Sequence, residues 1–158
     1  MRGLGQVKGV GLTIILVSMM GCATGPQFRA VHPPPPDGAL VYIYRLKHYN
    51  PWAGLLPNAT SYRISIDGDR VIDLSNGGYY EFVAKSGTNT IGAAMRFQPS
   101  WVLAMALDRK ELLRTEFELG KTYFLKFEVG AFGPKMTVVD EAVGESDLKK
   151  CKFIAKIE

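Results

Sequence analysis

Apolar residues recur along most of this chain with the period of β-strands. In Ser61 to Ile66, Tyr62, Ile64 and Ile66 alternate with Ser61, Arg63 and Ser65, which turns one face inward and the other to water. Asp67-Gly68 follows, the strongest hairpin-turn dipeptide in the sequence. Arg70 to Leu74 returns, Asn76-Gly77-Gly78 turns again, and Tyr79 to Ala84 forms the next strand with Tyr80 and Phe82 on one face. Ser86-Gly87 then leads into Thr88 to Met95. Leu113, Thr115, Phe117 and Leu119 alternate with Arg114, Glu116 and Glu118, and Gly120-Lys121 turns the chain into Thr122 to Val129. These two runs predict a second amphipathic hairpin. Ala39 to Arg45 is apolar at nearly every position, the pattern of a strand buried on both faces. Lys135 to Ala142 adds a strand, Ser146 is placed to cap a helix of one or two turns through Cys151, and Phe153 to Ile157 is a short closing strand or tail. About seven or eight short, mainly antiparallel strands with frequent turns predict an all-β fold, a β-sandwich or small barrel, with one or two short helices.

The amino terminus follows a different pattern. Arg2 and Lys8 precede an uncharged run from Val10 to Met20, and Gly21 stands just before Cys22. That is the layout of a secretory signal peptide over residues 1–21. The run is shorter than the ~20 residues a helix needs to cross a bilayer. Ser18-Met19-Met20-Gly21-Cys22 resembles the lipobox of bacterial lipoproteins, although Met19 stands where leucine is usual. The resemblance implies that the Cys22 sulfur receives a diacylglyceryl group and that the chain is cut before it. Ala23 in place of aspartate favours, by the same resemblance, the outer membrane. Residues 22–37 read as a tether without an apolar face: Gly25, Pro26 and Pro33 to Pro36 favour a stiff polyproline II segment of ~3.1 Å per residue. Residues 38–158 are then expected to fold alone as one β domain, held off the membrane, with His32 solvated in the tether.

Composition narrows the function classes. The 158-residue chain carries +4, but Arg2 and Lys8 leave with the signal, so 17 basic side chains face 15 acidic ones. No Lys/Arg run with interleaved aromatics follows Cys22, which argues against nucleic acid as a partner. With Cys22 acylated, Cys151 has no intramolecular partner. It is either a buried small hydrophobe or an exposed thiol able to pair between chains, and Lys149, Lys150 and Lys152 could lower its pKa.

Candidate chemistry is sparse. His32 and His48 fall in the tether and the first long loop, and no His/Cys cluster has metal-ligand spacing, so neither metal nor cofactor is expected. Asp67, Asp69, Asp73 and Asn76 invite a calcium-loop reading, but Val71 and Ile72 occupy places that need an oxygen ligand and a glycine. Ser86 lacks the flanking glycine of a nucleophile elbow. Glu116 and Glu118 belong to the solvated face of a strand.

Several pieces in order carry a resemblance: the strand Gly38-Ala39-Leu40-Val41-Tyr42-Ile43-Tyr44-Arg45, Ile64-Ser65-Ile66-Asp67-Gly68 with Val71 and Leu74, Gly77-Gly78-Tyr79, Ser86-Gly87 before Asn89-Thr90-Ile91, and Leu119-Gly120-Lys121-Thr122-Tyr123. From Gly38 to Val143 the chain resembles the bacterial lipoprotein family described as domain of unknown function 2846. The resemblance bears on fold and location and implies no activity.

Two loops are unusually apolar. Tyr49 to Leu56 holds Trp52, Leu55 and Leu56, and Trp101 to Leu107, read as a short helix, holds Trp101, Leu103 and Met105. They either cap the open ends of the core or form a contact surface. The functional expectation is a non-enzymatic lipoprotein, joined to the membrane by acyl chains on Cys22. It would act with an envelope protein partner on the periplasmic side of the outer membrane. The alternative is a binding protein for a small apolar ligand or saccharide at the mouth between Trp52 and Trp101.

Overall fold

Two sheets pack face to face, with a third, partial layer over one of them. The computed structural model describes residues 23–48, 61–95, 109–130 and 133–155. Their elements are β1 (Ala39–Tyr44), β2 (Tyr62–Ile66), β3 (Asp69–Leu74), β4 (Gly78–Ala84), β5 (Gly87–Met95), β6 (Arg109–Phe117), β7 (Thr122–Gly130), β8 (Gly133–Val139), α1 (Glu141–Leu148) and β9 (Lys152–Phe153). One sheet has the order β8-β7-β1-β4-β9 and the other β3-β2-β5-β6. Among the described residues the fold is an all-β sandwich with no closed barrel.

Strand β1 shows why a third layer is needed. All six of its residues are buried. Because side chains alternate across a strand, Ala39, Val41 and Ile43 enter the core between the sheets, where they meet Tyr62, Ile64, Ile91 and Phe117 of the opposite sheet. Leu40, Tyr42 and Tyr44 point the other way, into a second cluster with Phe28, Tyr79, Phe124, Leu148 and Cys151. Helix α1 and residues 23–32 supply the cover. Asp140 caps the helix by accepting a hydrogen bond from Val143 N at 2.9 Å, and Gly144 lets the helix backbone rest against the Phe124 ring.

The tight turns follow the sequence. Asp67 and Gly68 both take positive φ, 51° and 90°, as a type I′ hairpin between β2 and β3 requires. The Asp67 carboxylate accepts from Thr90 N at 2.8 Å, which ties the turn to β5.

Five expectations are corrected. Gly120-Lys121 does not close a hairpin: β6 pairs with β5 in one sheet, while β7 pairs with β8 and runs parallel to β1 in the other. Gly120, at φ 68°, turns the chain across the sandwich and donates to Gly38 O at 2.9 Å. Leu119, past the strand end, is 54% exposed. The run after Lys135 ends as a strand at Val139, so Ala142 belongs to α1, and Ser146 lies inside that helix instead of capping it. The closing strand expected over Phe153 to Ile157 is instead the two-residue β9, Lys152–Phe153, the ninth strand among the described residues.

The fifth correction concerns residues 23–37, which do have a packed face. Phe28 is buried, edge-to-face on Tyr42 and Tyr79 with ring centroids 5.8 and 5.6 Å apart. His32 N donates to the Tyr42 hydroxyl at 3.0 Å, while the His32 side chain stays largely exposed. Gln27 forms a bridge with Lys152, and Phe153 N donates to Pro26 O at 2.7 Å.

Candidate functional site

The strand registers bring many chain crossings to one end of the sandwich. Tyr44 pairs with Tyr79 and Lys126, Tyr62 with Leu74 and Met95, and Gly130 with Gly133. The described residues that flank 49–60, 96–108 and 131–132 therefore all stand at this end, the mouth. Trp52, Leu55, Leu56, Trp101, Leu103 and Met105 lie outside the described residues, as does Cys22. The Trp101 to Leu107 helix lies outside them too.

The mouth contains a cleft of about 650 Å³. Leu46, Leu112, Phe127, Val129 and Pro134 give it an apolar wall, and His48, Glu111, Glu128 and Lys135 a polar rim. Sequence reasoning missed it because it is assembled from β6, β7, β8 and the segment after β1. The one available signal was Arg45, a cation ending a strand that is otherwise apolar.

Arg45 is only 3% exposed. Its guanidinium carbon lies 5.5 Å from the Tyr62 ring centroid and 6.0 Å from that of Phe127, within the range in which aromatic faces attract a cation. Burial pushes its pKa down, an effect that Tyr62 opposes, but a guanidinium begins so high that it stays charged. Burial also raises the Tyr62 phenol against the pull of Arg45. Among the described residues the Tyr62 hydroxyl has no hydrogen-bond partner. A pocket of this volume, apolar on its wall and polar at its rim, suits binding.

His48 is fixed at the rim by a reciprocal pair: His48 N donates to Asn76 Oδ1 and Asn76 Nδ2 donates to His48 O, both at 3.1 Å. Two of the carboxylates weighed as a calcium loop are committed elsewhere. Asp67 holds Thr90, and Asp73, 3% exposed, accepts from Arg70 Nη2 at 2.8 Å. Among the described residues no three His, Cys, Asp or Glu side chains gather as a metal site.

Cys151 is fully buried behind the mouth, and its thiol lies 3.7 Å from Arg45 O and 3.5 Å from Asp147 O. Burial, aided by Asp147 and opposed by Lys150, pushes its pKa up to about 12. This reverses the lowering anticipated from the neighbouring lysines, because desolvation of the thiolate outweighs their charge. Iodoacetamide at neutral pH should therefore leave Cys151 unmodified in the folded protein and label it fully in denaturant, as read by intact mass. Rapid labelling of the native chain would contradict its burial.

A second polar cluster pins α1 to the sheet. Asp147 accepts from the Tyr44 hydroxyl at 3.2 Å and from Lys150 at 2.9 Å, with Lys126 at 3.5 Å. Burial raises the Asp147 pKa, but the Lys150 hydrogen bond, the charges of Lys126 and Lys150 and the Tyr44 bond together bring it below the ordinary value. A depressed folded pKa stabilises above the unfolded value of ~3.9, and that contribution disappears as pH falls through the folded value. Asp147→Asn should cost about 1–2 kcal/mol at neutral pH. In urea melts the gap from the parent should narrow below pH ~4; a gap independent of pH would show that the charge of Asp147 contributes nothing.

Comparison with protein-family models gives no match to this chain, and comparison with curated proteins gives none either.

Proposed function

We propose that this chain is a non-enzymatic bacterial lipoprotein, anchored through acyl chains on Cys22, that offers the mouth of its sandwich to a partner in the cell envelope. The observation that supports this most is the apolar-walled cleft at the end where residues 49–60 and 96–108 begin and return. On this reading Trp52, Leu55, Leu56, Trp101, Leu103 and Met105 contribute contacts to the partner. Chain order favours the anchor as well: Cys22 directly precedes Ala23, whose N–H donates to Asn76 O at 3.3 Å, so the folded unit begins next to the lipobox. The outer membrane and the lipoprotein family named above belong to the same proposal.

The anchor is tested by intact mass. Protein extracted from membranes should exceed a chain beginning at Cys22 by a diacylglyceryl group, with or without a third acyl chain, and Cys22→Ser should release it into the soluble fraction. An unmodified soluble chain, indifferent to that substitution, would refute the anchor.

A second reading has its own support in the cleft volume, which falls within the ~300–1,000 Å³ usual for small-molecule sites. Native mass spectrometry of the purified protein, beside a pull-down from native membranes, separates the two. A bound small molecule favours a ligand carrier, and a stable envelope protein favours the interaction module.

A further inference from the structure

The geometry points to a domain that stands with its mouth toward the membrane surface, with no free tether between the anchor and the fold, so that a partner met at the mouth is itself held at that surface. This rests on the anchor proposed above and adds an orientation to it. Residues 23–28 run along the outer face of the five-stranded sheet, starting at the mouth. Ala23 N donates to Asn76 O at 3.3 Å, and Asn76 also clamps His48 on the cleft rim through two 3.1 Å bonds. A single residue therefore joins the rim to the position that follows Cys22. Consecutive Cα atoms are ~3.8 Å apart, so an acylated Cys22 begins within one residue of the mouth. The polyproline run lies after this attachment: the chain has already met Phe153 through Pro26 and buried Phe28 before Pro33 is reached. The prolines cannot lengthen the tether unless Phe28 is pulled out.

The charges near the anchor fit an anionic headgroup layer. Lys47 lies against Gly77, Lys152 N donates to Gly77 O at 2.9 Å, and Lys149 O accepts from the Gln27 side chain at 2.6 Å. All three lysines are exposed, and exposed Lys150 stands beside them. Of the carboxylates nearby, Asp147 is nearly buried and already paired with Lys126 and Lys150, and Glu145 stands one helical turn before Lys149. Basic residues this close to an anchored terminus are drawn to anionic lipid. Glu128 is on the same face, where it shares Lys126 with Asp147 at 3.5 Å to each, while Glu111 of β6 lines the cleft; the four exposed lysines leave this edge net basic. The far end of the sandwich carries Asp67, Gly68 and Lys121. The nine residues of β7, at ~3.3 Å per residue, separate the two ends by roughly 25–30 Å.

The test uses the full acylated protein in vesicles of phosphatidylethanolamine and phosphatidylglycerol doped with a headgroup-nitroxide lipid. A fluorophore is placed at Lys47→Cys or at Lys121→Cys, both exposed positions, while buried Cys151 stays unlabelled. The probe at 47 should be quenched roughly threefold or more over that at 121, since headgroup quenching fades over the ~25 Å between them. Acylated protein with equal quenching at both positions, or stronger quenching at 121, would overturn the orientation and leave the anchor standing. Protein whose mass shows no acyl group would overturn both. Phe28→Ser, confirmed folded by circular dichroism, should lower quenching at 47 toward that at 121; unchanged quenching would show that the packed strap does not hold the domain down.

Discussion

A chain beginning at Gly38 should melt roughly 10–15 °C below one beginning at Ala23, taking a few degrees per kcal/mol for a domain of this size. Phe28 closes the outer cluster over Tyr42 and Tyr79. Removal of a buried Phe ring costs about 3–5 kcal/mol, and each edge-to-face pair adds ~0.5–1.5 kcal/mol beyond buried area. The truncation also takes His32 N from the Tyr42 hydroxyl, and Pro26 O and Gln27 from the short strand β9. Nothing else among the described residues can take over, because Leu148 and Cys151 of the same cluster are already fully buried. Phe28→Ala in the longer chain should reproduce about 3 kcal/mol of the loss. Thermal melts by circular dichroism measure both, and equal midpoints for the two chains would show that residues 23–37 are a tether after all.

The expectation of a free tether failed for a physical reason. A lone aromatic among prolines has no periodicity, and its burial is decided by what the distant sheet leaves uncovered. The need for that cover was legible in Ala39 to Tyr44, where both odd and even positions are apolar. A strand of that kind demands something on each side, and α1 with Phe28 is what stands on the second side. Asp67-Gly68 was legible because the turn places its own demand on φ at two adjacent residues. The partition into sheets was not. Leu113 to Phe117 and Thr122 to Val129 alternate in the same way whether they pair within one sheet or face each other across the core, and Phe117 does meet Tyr123 across it, at 4.8 Å between centroids. The cap of α1 was misplaced because Asp140 and Ser146 are both good cap residues, and a helix with Gly144 at its centre shows no apolar stripe. The cleft escaped altogether, since its walls come from Arg45, Leu46 and His48 and from the mouth ends of β6, β7 and β8, which only the tertiary fold brings together.

Gly144 carries the other large expected effect, and its sign opposes local propensity. Glycine inside a helix is less favourable than alanine by about 1 kcal/mol, so Gly144→Ala would stabilise α1 if the helix were alone. In the fold a methyl group at 144 would overlap the Phe124 ring at its base, reaching Cγ and Cβ as well as the ring edge. That ring cannot swing aside: it is 2% exposed and stacked on Tyr42 with centroids 5.5 Å apart and planes 12° from parallel. The helix must lift instead, which draws Asp147 off Tyr44 and Lys126 and loosens Leu148 in the outer cluster. Overpacking of this kind costs about 1–3 kcal/mol, so after the helix gain of about 1 kcal/mol Gly144→Ala should be net destabilising by up to about 2 kcal/mol. Gly144→Leu, with a longer branch and the same obstacle, should lose more than 3 kcal/mol. Phe124→Leu placed beside Gly144→Ala makes room and should recover part of the loss, a coupling that a double-mutant cycle in urea reads directly. A higher melting temperature for Gly144→Ala alone would mean that α1 does not rest on Phe124, and with it would go the account of what covers the outer face of β1.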